Sequence, residues 1–347
     1  MKAWIDILTP KQVLFFKPLI DRLKEADVET LVTARNYREL NMVLKMKKVE
    51  AASVGKHGGG SLLQKLLYSA SRIRGLAKLI AEEKVDVAIS YASVEAARVA
   101  YGLGIPHYCV SDSPHAEAVS KLTVPLSQLL FTPFIVPLKA WTKYGINPKR
   151  IVRYRALDPY VWITRSPRQN HGSTYPKRVA VRMEEEYASY LLGEKKNSIT
   201  LETLRRLIES NLDIDIIVLP RYWRQCEEVK RRFRGKVRVC EEGFNGLSLI
   251  GSSAVFIGAG GTMTAEAALL GIPSVSIYPG QPTHVEKYLV KKGLLVRSLN
   301  PDFVVRFVRA HIADGEARNR LKRKAENLLR KMEDPCDVIA RKILGSA

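Results

Sequence analysis

The sequence predicts an α/β protein made of two doubly wound, parallel-sheet domains facing each other across a cleft. Short apolar strand-type runs alternate with helical stretches through the first third of the chain, the pattern of a parallel sheet. A polar stretch, Thr164 to Pro176 (TRSPRQNHGSTYP), has linker composition, and the alternation restarts after it. At 347 residues the chain is long enough for two domains. The expected division is 1–165, 166–334, and a last helix over 335–347.

In the first half, Ala3 to Leu8 reads as a strand, and Thr9-Pro10 opens a helix to about Lys24 with Val13, Phe16, Ile20 and Leu23 on one face. Val28 to Thr33 is a strand, Tyr37 to Lys45 a helix, and Val49 to Val54 a third strand. A glycine loop follows, Gly55-Lys56-His57-Gly58-Gly59-Gly60-Ser61, and then a long helix to about Glu83. Val85 to Ser90, a helix from Ser93 to Leu103 and a strand from His107 to Val110 complete the pattern, which runs into Ser111-Asp112-Ser113-Pro114-His115. Leu122 to Trp141 is apolar but broken by Pro125, Pro133 and Pro137, so it reads as buried strand and helix pieces rather than a membrane contact.

The second half repeats the logic. Strands are expected at Arg178 to Val181, Ile214 to Leu219 and Lys236 to Cys240, with helices at Ile199 to Ser210, Gln225 to Phe233 and Leu247 to Gly251. Then comes AVFIGAGGTMTAEAALLGIPSVSIYPG, from Ala254 to Gly280. It reads as a strand to Ile257, a glycine turn, a helix from Met263 to Leu270 stopped by Gly271 and Pro273, and a strand from Ser274 to Tyr278: one βαβ unit. Helical stretches from about Asp302 close the chain.

The composition, 46% hydrophobic and 26% charged, is globular. No run approaches the ~18 apolar residues of a membrane span, and MKAWIDILTP has no signal core, so a cytoplasmic place is expected. Cys109, Cys226, Cys240 and Cys336 are scattered without C-x-x-C and read as small core residues. Six His without an H-x-x-x-H pair point to no metal site, and no motif calls for a cofactor. A net charge of +21 implies an anionic partner: nucleic acid, a phosphorylated substrate or an anionic membrane surface. The helix around Leu321 to Met332 sets Leu321, Ala325, Leu328 and Met332 against many Lys and Arg. It is either a solvated amphipathic helix or a surface for anionic lipid or nucleic acid.

The glycine turn can do chemistry. Glycines let a ligand approach the backbone, and the first N–H groups of a helix present a positive dipole end to a phosphate. Gly258, Gly260, Gly261 and Thr262 are the candidates, with Glu266, expected exposed about one turn in, as an acceptor for ribose hydroxyls. Tight packing of the glycines is the alternative. In open α/β sheets ligands bind beyond the carboxyl ends of the strands. Thr9, Lys11, Lys56, His57, Gly58, Gly59, Ser90, Ser93, Asp112 and His115 fall at that edge in the first half, Arg182 and Arg221 in the second. The spacing is not G-x-G-x-x-G, and neither G-x-S-x-G nor G-x-x-x-x-G-K-[ST] is present.

The segments WIDILTPKQVLFFKPLI from Trp4, VGKHGG from Val54, EAARVAYGLGIP from Glu95, SDSPHA from Ser111 and GAGGTMTAEAALLGIPSVSIYPG from Gly258 resemble the family catalogued as domain of unknown function 354 (DUF354). The resemblance implies a GT-B fold, similar to nucleotide-sugar glycosyltransferases and the non-hydrolysing UDP-N-acetylglucosamine 2-epimerases. It implies that Gly260, Gly261 and Thr262 bind a diphosphate, Glu266 the ribose and Arg182 a phosphate, and that the last helix crosses back to the first domain. The epimerases carry a Gly-Thr-Arg-Pro-Glu type turn after the first strand. Here the turn is Leu8-Thr9-Pro10-Lys11-Gln12, without the Arg and the Glu. The catalytic base is then assigned to Asp112 first and His57 second. The expectation is a glycosyltransferase that takes a nucleotide-diphosphate sugar and gives the sugar to an acceptor, soluble or lipid-linked, in the first half. An NDP-sugar epimerase and a non-catalytic protein binding nucleic acid or another anion are the alternatives. Nucleic acid is not the expected partner.

Overall fold

Apolar runs of four to six residues, buried on both faces, become the central strands of two parallel sheets. The computed structural model describes residues 1–166, 177–185, 198–240, 246–312 and 314–345; positions 167–176 of the expected linker lie outside them. The chain divides into two units, Met1–Trp162 with Met332–Ala347, and Ile163–Lys331.

The first unit begins with β1 (Lys2–Ile7), α1 (Pro10–Glu25), β2 (Glu29–Asn36), α2 (Arg38–Met46), β3 (Ala52–Lys56) and α3 (Leu62–Glu83). It continues with β4 (Val87–Ser90), α4 (Val94–Gly102), β5 (His107–Val110), α5 (Glu117–Thr123), β6 (Leu129–Pro133), α6 (Lys139–Thr142) and β7 (Ile151–Tyr154), before α7 (Tyr160–Ile163). All its strands pair in parallel in the order β3-β2-β1-β4-β5-β6-β7, so the winding reverses between β1 and β4. Pro10 sits at the start of α1, where its missing N–H costs nothing. Val13, Phe16, Ile20 and Leu23 form its buried face as the spacing predicts.

The second unit contains β8 (Arg178–Arg182), α8 (Ile199–Glu209), β9 (Asp215–Leu219), α9 (Trp223–Phe233), β10 (Arg238–Val239) and α10 (Gly246–Gly251). Then come β11 (Val255–Gly258), α11 (Gly261–Leu269), β12 (Ser274–Ser276), α12 (His284–Lys291), β13 (Val296–Arg297), α13 (Pro301–His311) and α14 (Gly315–Leu329). Its order is β10-β9-β8-β11-β12-β13, again all parallel, with the reversal between β8 and β11. The final helix, α15 (Pro335–Leu344), belongs to the first unit and packs on α1, where Cys336 donates its thiol to the Phe15 carbonyl.

Some expectations hold and others change. The proline-broken stretch after Leu122 becomes β6 and α6, with Leu130, Phe131 and Trp141 fully buried, so it is core. The third strand starts three residues later than expected and runs into Gly55, whose φ of +78° suits glycine. The apolar side of α14 is not an open lipid face. Ala325 is buried, α11 and α13 pack against the helix, and Gly271 meets the Lys322 backbone so closely that any Cβ there would collide. Among the described residues no helix is long and apolar enough to cross a membrane. All four cysteines are free thiols; Cys109, Cys226 and Cys336 are buried, and burial pushes the Cys109 thiol up to about 12.

Candidate functional site

In open α/β sheets the loops at the winding reversal open a crevice beyond the strand ends. In the second unit those loops follow β8 and β11. They bring Arg182, the last residue of β8, next to Gly258, its register partner at the end of β11. Gly260 is the N-cap of α11 with extended backbone, and no side chain caps the helix. The N–H groups of Gly261, Thr262 and Met263 therefore start the helix as donors that the helix itself cannot satisfy.

The three glycines serve different needs. A Cβ at Gly258 would collide with the Thr264 hydroxyl, which donates to the Gly260 carbonyl, so this glycine is there for packing. A Cβ at Gly260 would collide with the Arg221 guanidinium. At Gly261 a Cβ would meet nothing within 4 Å, and the residue is exposed: the turn is open on that side.

Two guanidiniums flank the turn. Arg182 donates through Nη1 to the carbonyls of Pro220 at 2.8 Å and Leu219 at 3.3 Å, while its Nε is buried with no hydrogen-bond partner. Burial first, and the neighbouring Arg221 charge second, lower its pKa to about 9. Arg221 donates Nε–H to the Met183 carbonyl at 3.1 Å and lies 3.6 Å from Glu185. Gln225 locks the same region, accepting from the Arg221 N–H at 2.8 Å and donating to the Glu184 carbonyl at 2.9 Å. Glu266 is only 6% exposed, which corrects the expectation of an exposed helix-start carboxylate; its charge acts on Arg182. Arg297 was not foreseen. It donates to the carbonyls of Tyr278 and Gly280 and pairs with Glu286 at 3.2 Å, which ties down the loop after β12.

In the first unit the reversal lies between β1 and β4; Lys11 comes from the first turn of α1, which follows β1, and Tyr91 from the loop after β4. The Lys11 ammonium donates to Tyr91 Oη at 2.8 Å, Asp112 at 3.1 Å and Asp158 at 3.3 Å. Tyr91 and Tyr154 both donate their hydroxyls to Asp158, Tyr154 at 2.6 Å, and Ser113 donates to Asp112 at 2.6 Å. Burial works to raise both carboxyls. For Asp158, which is fully buried and faces Asp112, it wins, and the carboxyl is pushed up to about 6. For Asp112 burial is overcome by the Lys11 charge and the Ser113 hydroxyl, which hold it well below the usual carboxylate range. Two neighbouring carboxyls driven apart in this way have the character of an acid–base pair.

The other first-unit candidates separate from this cluster. Thr9 is the N-cap of α1 through its backbone, and its side chain makes no cap bond. Ser93 is fully buried: it caps α4 and donates to Asp6 at 2.6 Å, so it does not face a ligand. Asp6 in turn carries the buried Arg72 guanidinium and the Thr33 hydroxyl. His115 is exposed on the turn beyond Asp112. Lys56 and His57 are also exposed. The His57 Nδ1 accepts the Gly59 N–H at 3.1 Å, and Gly58 has no room for a Cβ against the Lys65 backbone, 2.7 Å away. Partial burial of the ring and the charges of Arg35 and Lys65 lower the His57 pKa. β3 is four strand steps from β5, roughly 19 Å at about 4.8 Å a step. His57 and Asp112 are thus at one edge but not in one cluster. Tyr91, Tyr154 and Asp158 escaped the sequence reading. The available signal was an acidic residue inside the apolar run Ala156-Leu157-Asp158-Pro159-Tyr160.

The sequence matches, over residues 1–347, the model of the family described as protein of unknown function (DUF354). The chain belongs to the DUF354 family. A relative in Methanocaldococcus jannaschii, the uncharacterized protein MJ0665, is 31% identical over 318 residues, 89% of this chain and 91% of its own length. Among solved structures, the MnaA–UDP complex of S. aureus superposes with a TM-score of 0.73 at 16% identity, covering 99% of this chain and 94% of that one. The UDP-GlcNAc 2-epimerase of M. jannaschii in complex with UDP-GlcNAc and UDP gives 0.69 at 16%, covering 95% and 99%. The spinosyn rhamnosyltransferase SpnG, complexed with spinosyn aglycone, gives 0.65 at 13%, covering 99% and 100%. At these identities the likeness is one of fold: this DUF354 protein has the GT-B-like fold that epimerases and glycosyltransferases share.

Proposed function

We infer that this DUF354 protein is a glycosyltransferase that binds a nucleotide-diphosphate sugar on its second unit. The observation that carries the reading is the winding reversal of the second sheet, where unsatisfied helix N–H groups, Arg221 and the unanswered Nε of Arg182 converge. The diphosphate lies on Gly260, Gly261 and Thr262, with the two arginines taking up charge that grows as the leaving group departs. Glu266 takes the ribose. The bond from the sugar C1 to the diphosphate oxygen breaks with its electron pair, and a bond from C1 to an acceptor oxygen forms. The acceptor gives up its proton to a base as that bond forms, and the candidate base is the carboxylate pair Asp112 and Asp158, held in place by Lys11 and the two tyrosines. Calorimetric titration with UDP and UDP-sugars tests the binding. Arg221→Ala should weaken UDP by about 1.5–3 kcal/mol, the range for a charged hydrogen bond, and unchanged affinity would remove Arg221 from the site.

The carboxyl pair also favours a second reading, NDP-sugar epimerisation, because a carboxyl at about 6 beside a strongly acidic one suits removal and return of a proton. Incubation of UDP-GlcNAc in deuterated water decides. An epimerase incorporates deuterium at C2 without an acceptor. A transferase incorporates none and releases UDP only when an acceptor is supplied.

A further inference from the structure

The long helix of the first unit outruns the sheet it packs on. α3 has 22 residues, about 33 Å, whereas the adjoining β3 has five, about 17 Å. Its buried side chains, Arg72, Leu76 and Ile80, all lie from its middle onward. In the first two turns Leu62, Leu63, Leu66 and Leu67 are each between 52% and 68% exposed. They pair at i,i+4 and make one continuous apolar patch. Further along, at the same helical spacing as Leu63 and Leu67, the exposed side is continued by Arg74 and Lys78. From Ala51 to Ala81 the chain holds Lys56, Lys65, Arg72, Arg74 and Lys78 but no Asp or Glu. Arg72 pairs with Asp6, while Lys56, Arg74 and Lys78 are exposed, and the acids of α3, Glu82 and Glu83, come only at its end.

We propose that the amino-terminal turns of α3 dock the protein on an anionic lipid surface, the four leucines entering the headgroup–acyl boundary while Lys56, Arg74 and Lys78 meet lipid phosphates. An apolar patch rimmed by cations is the composition of a helix lying in that interface. A second copy of the chain fits less well, because a two-fold contact would set the same cations against each other. Free polyanions have no use for the leucines. The surface is independent of the nucleotide reading, and its test uses no nucleotide sugar.

The experiment is sedimentation of the full chain with vesicles of phosphatidylcholine alone or with 30%, as a ~ working fraction, of phosphatidylglycerol, over a salt series. Wild type should bind the anionic vesicles at least tenfold more strongly, roughly, than the neutral ones, with binding falling as salt rises. The triple variant Leu63→Ser, Leu66→Ser, Leu67→Ser should lose about tenfold or more of that partition, since three exposed side chains stop contributing buried apolar area. The pair Arg74→Gln, Lys78→Gln should bind more weakly and with a shallower salt dependence. All variants should melt like wild type and titrate UDP like wild type. Equal partition of wild type and the leucine variant overturns the proposal. So does wild type left in the supernatant, or leucine-dependent self-association in ultracentrifugation without vesicle binding.

Discussion

At the β1/β4 reversal, the Lys11 ammonium has three oxygen partners and Asp158 receives two tyrosine hydroxyls. At the β8/β11 reversal, Arg182 keeps a buried Nε without a partner, and α11 begins without a side-chain cap. The same topology thus ends in two kinds of crevice. One has satisfied its own polar groups, so its shape is held by the protein and any reactant meets preset groups. The other carries donors that cost free energy while unanswered and that an anion would answer. Rigidity is expected of the first and ligand-induced stabilisation of the second.

The comparison is broken most severely at Asp158. Asp158→Ala would leave Lys11, Tyr91 and Tyr154 without their common acceptor in a buried place, and unfolding in urea should show a loss of about 3–5 kcal/mol. A loss below ~1 kcal/mol would mean that the network does not hold the crevice. Next is His107, the first residue of β5, at the opposite end of that strand from Asp112. The Ser127 hydroxyl donates to the Thr123 carbonyl, so it accepts from His107 Nδ1–H, and Ser90 serves Nε2, both at 2.9 Å. The neutral ring is the form that fits, and burial lowers its pKa from 6.5 to about 4. The unfolded chain therefore binds the extra proton first as pH falls. The stability is complete above about pH 6.5 and is lost on the way to about pH 4, at about 1.4 kcal/mol per pH unit, roughly 3 kcal/mol in all. His107→Gln should flatten the stability profile over that window, and an unchanged slope would assign the acid sensitivity elsewhere.

On the second crevice, Glu266→Gln removes a buried charge beside Arg182 and should lower thermal stability by about 1–3 kcal/mol. If Glu266 also takes the ribose, UDP affinity falls in step. Stability lost with affinity kept would leave it as the arginine's counter-charge only. The smallest effect is expected at Gly261→Ala. Its Cβ meets nothing, and its φ is outside the left-handed region, so stability should stay within ~0.5 kcal/mol. UDP titration of that variant sharpens the contrast: weaker binding with an intact fold marks the open side of the turn as the phosphate side.

Much of this architecture is legible from residue order. His107–Val110 and Pro335–Leu344 have the bounds that pattern alone predicts. What stays hidden has local causes. β7 is a half-exposed edge strand whose IVRY follows Pro148-Lys149-Arg150, so neither burial nor alternation marks it. β13 is two residues long, and α12 begins directly behind Pro279-Gly280-Gln281-Pro282, where turn signals mask its start. The glycine turn is readable because its chemistry is contiguous. The Lys11 cluster is not, since Asp158 is 147 positions from Lys11 and only the sheet order makes them neighbours.

The place of α15 has a consequence for how the chain is made. Cys336, Ile339, Ala340 and Ile343 are buried in it, and Arg22 pairs with Asp337 at 2.6 Å, so the first unit is finished by residues that are synthesised after the whole of the second. Until α15 emerges, the outer side of α1 lacks its cover, while the second unit already has all its strands. In a growing polypeptide, the later-encoded half is thus the first that can be structurally complete, and the earlier half waits with apolar surface open to chaperones.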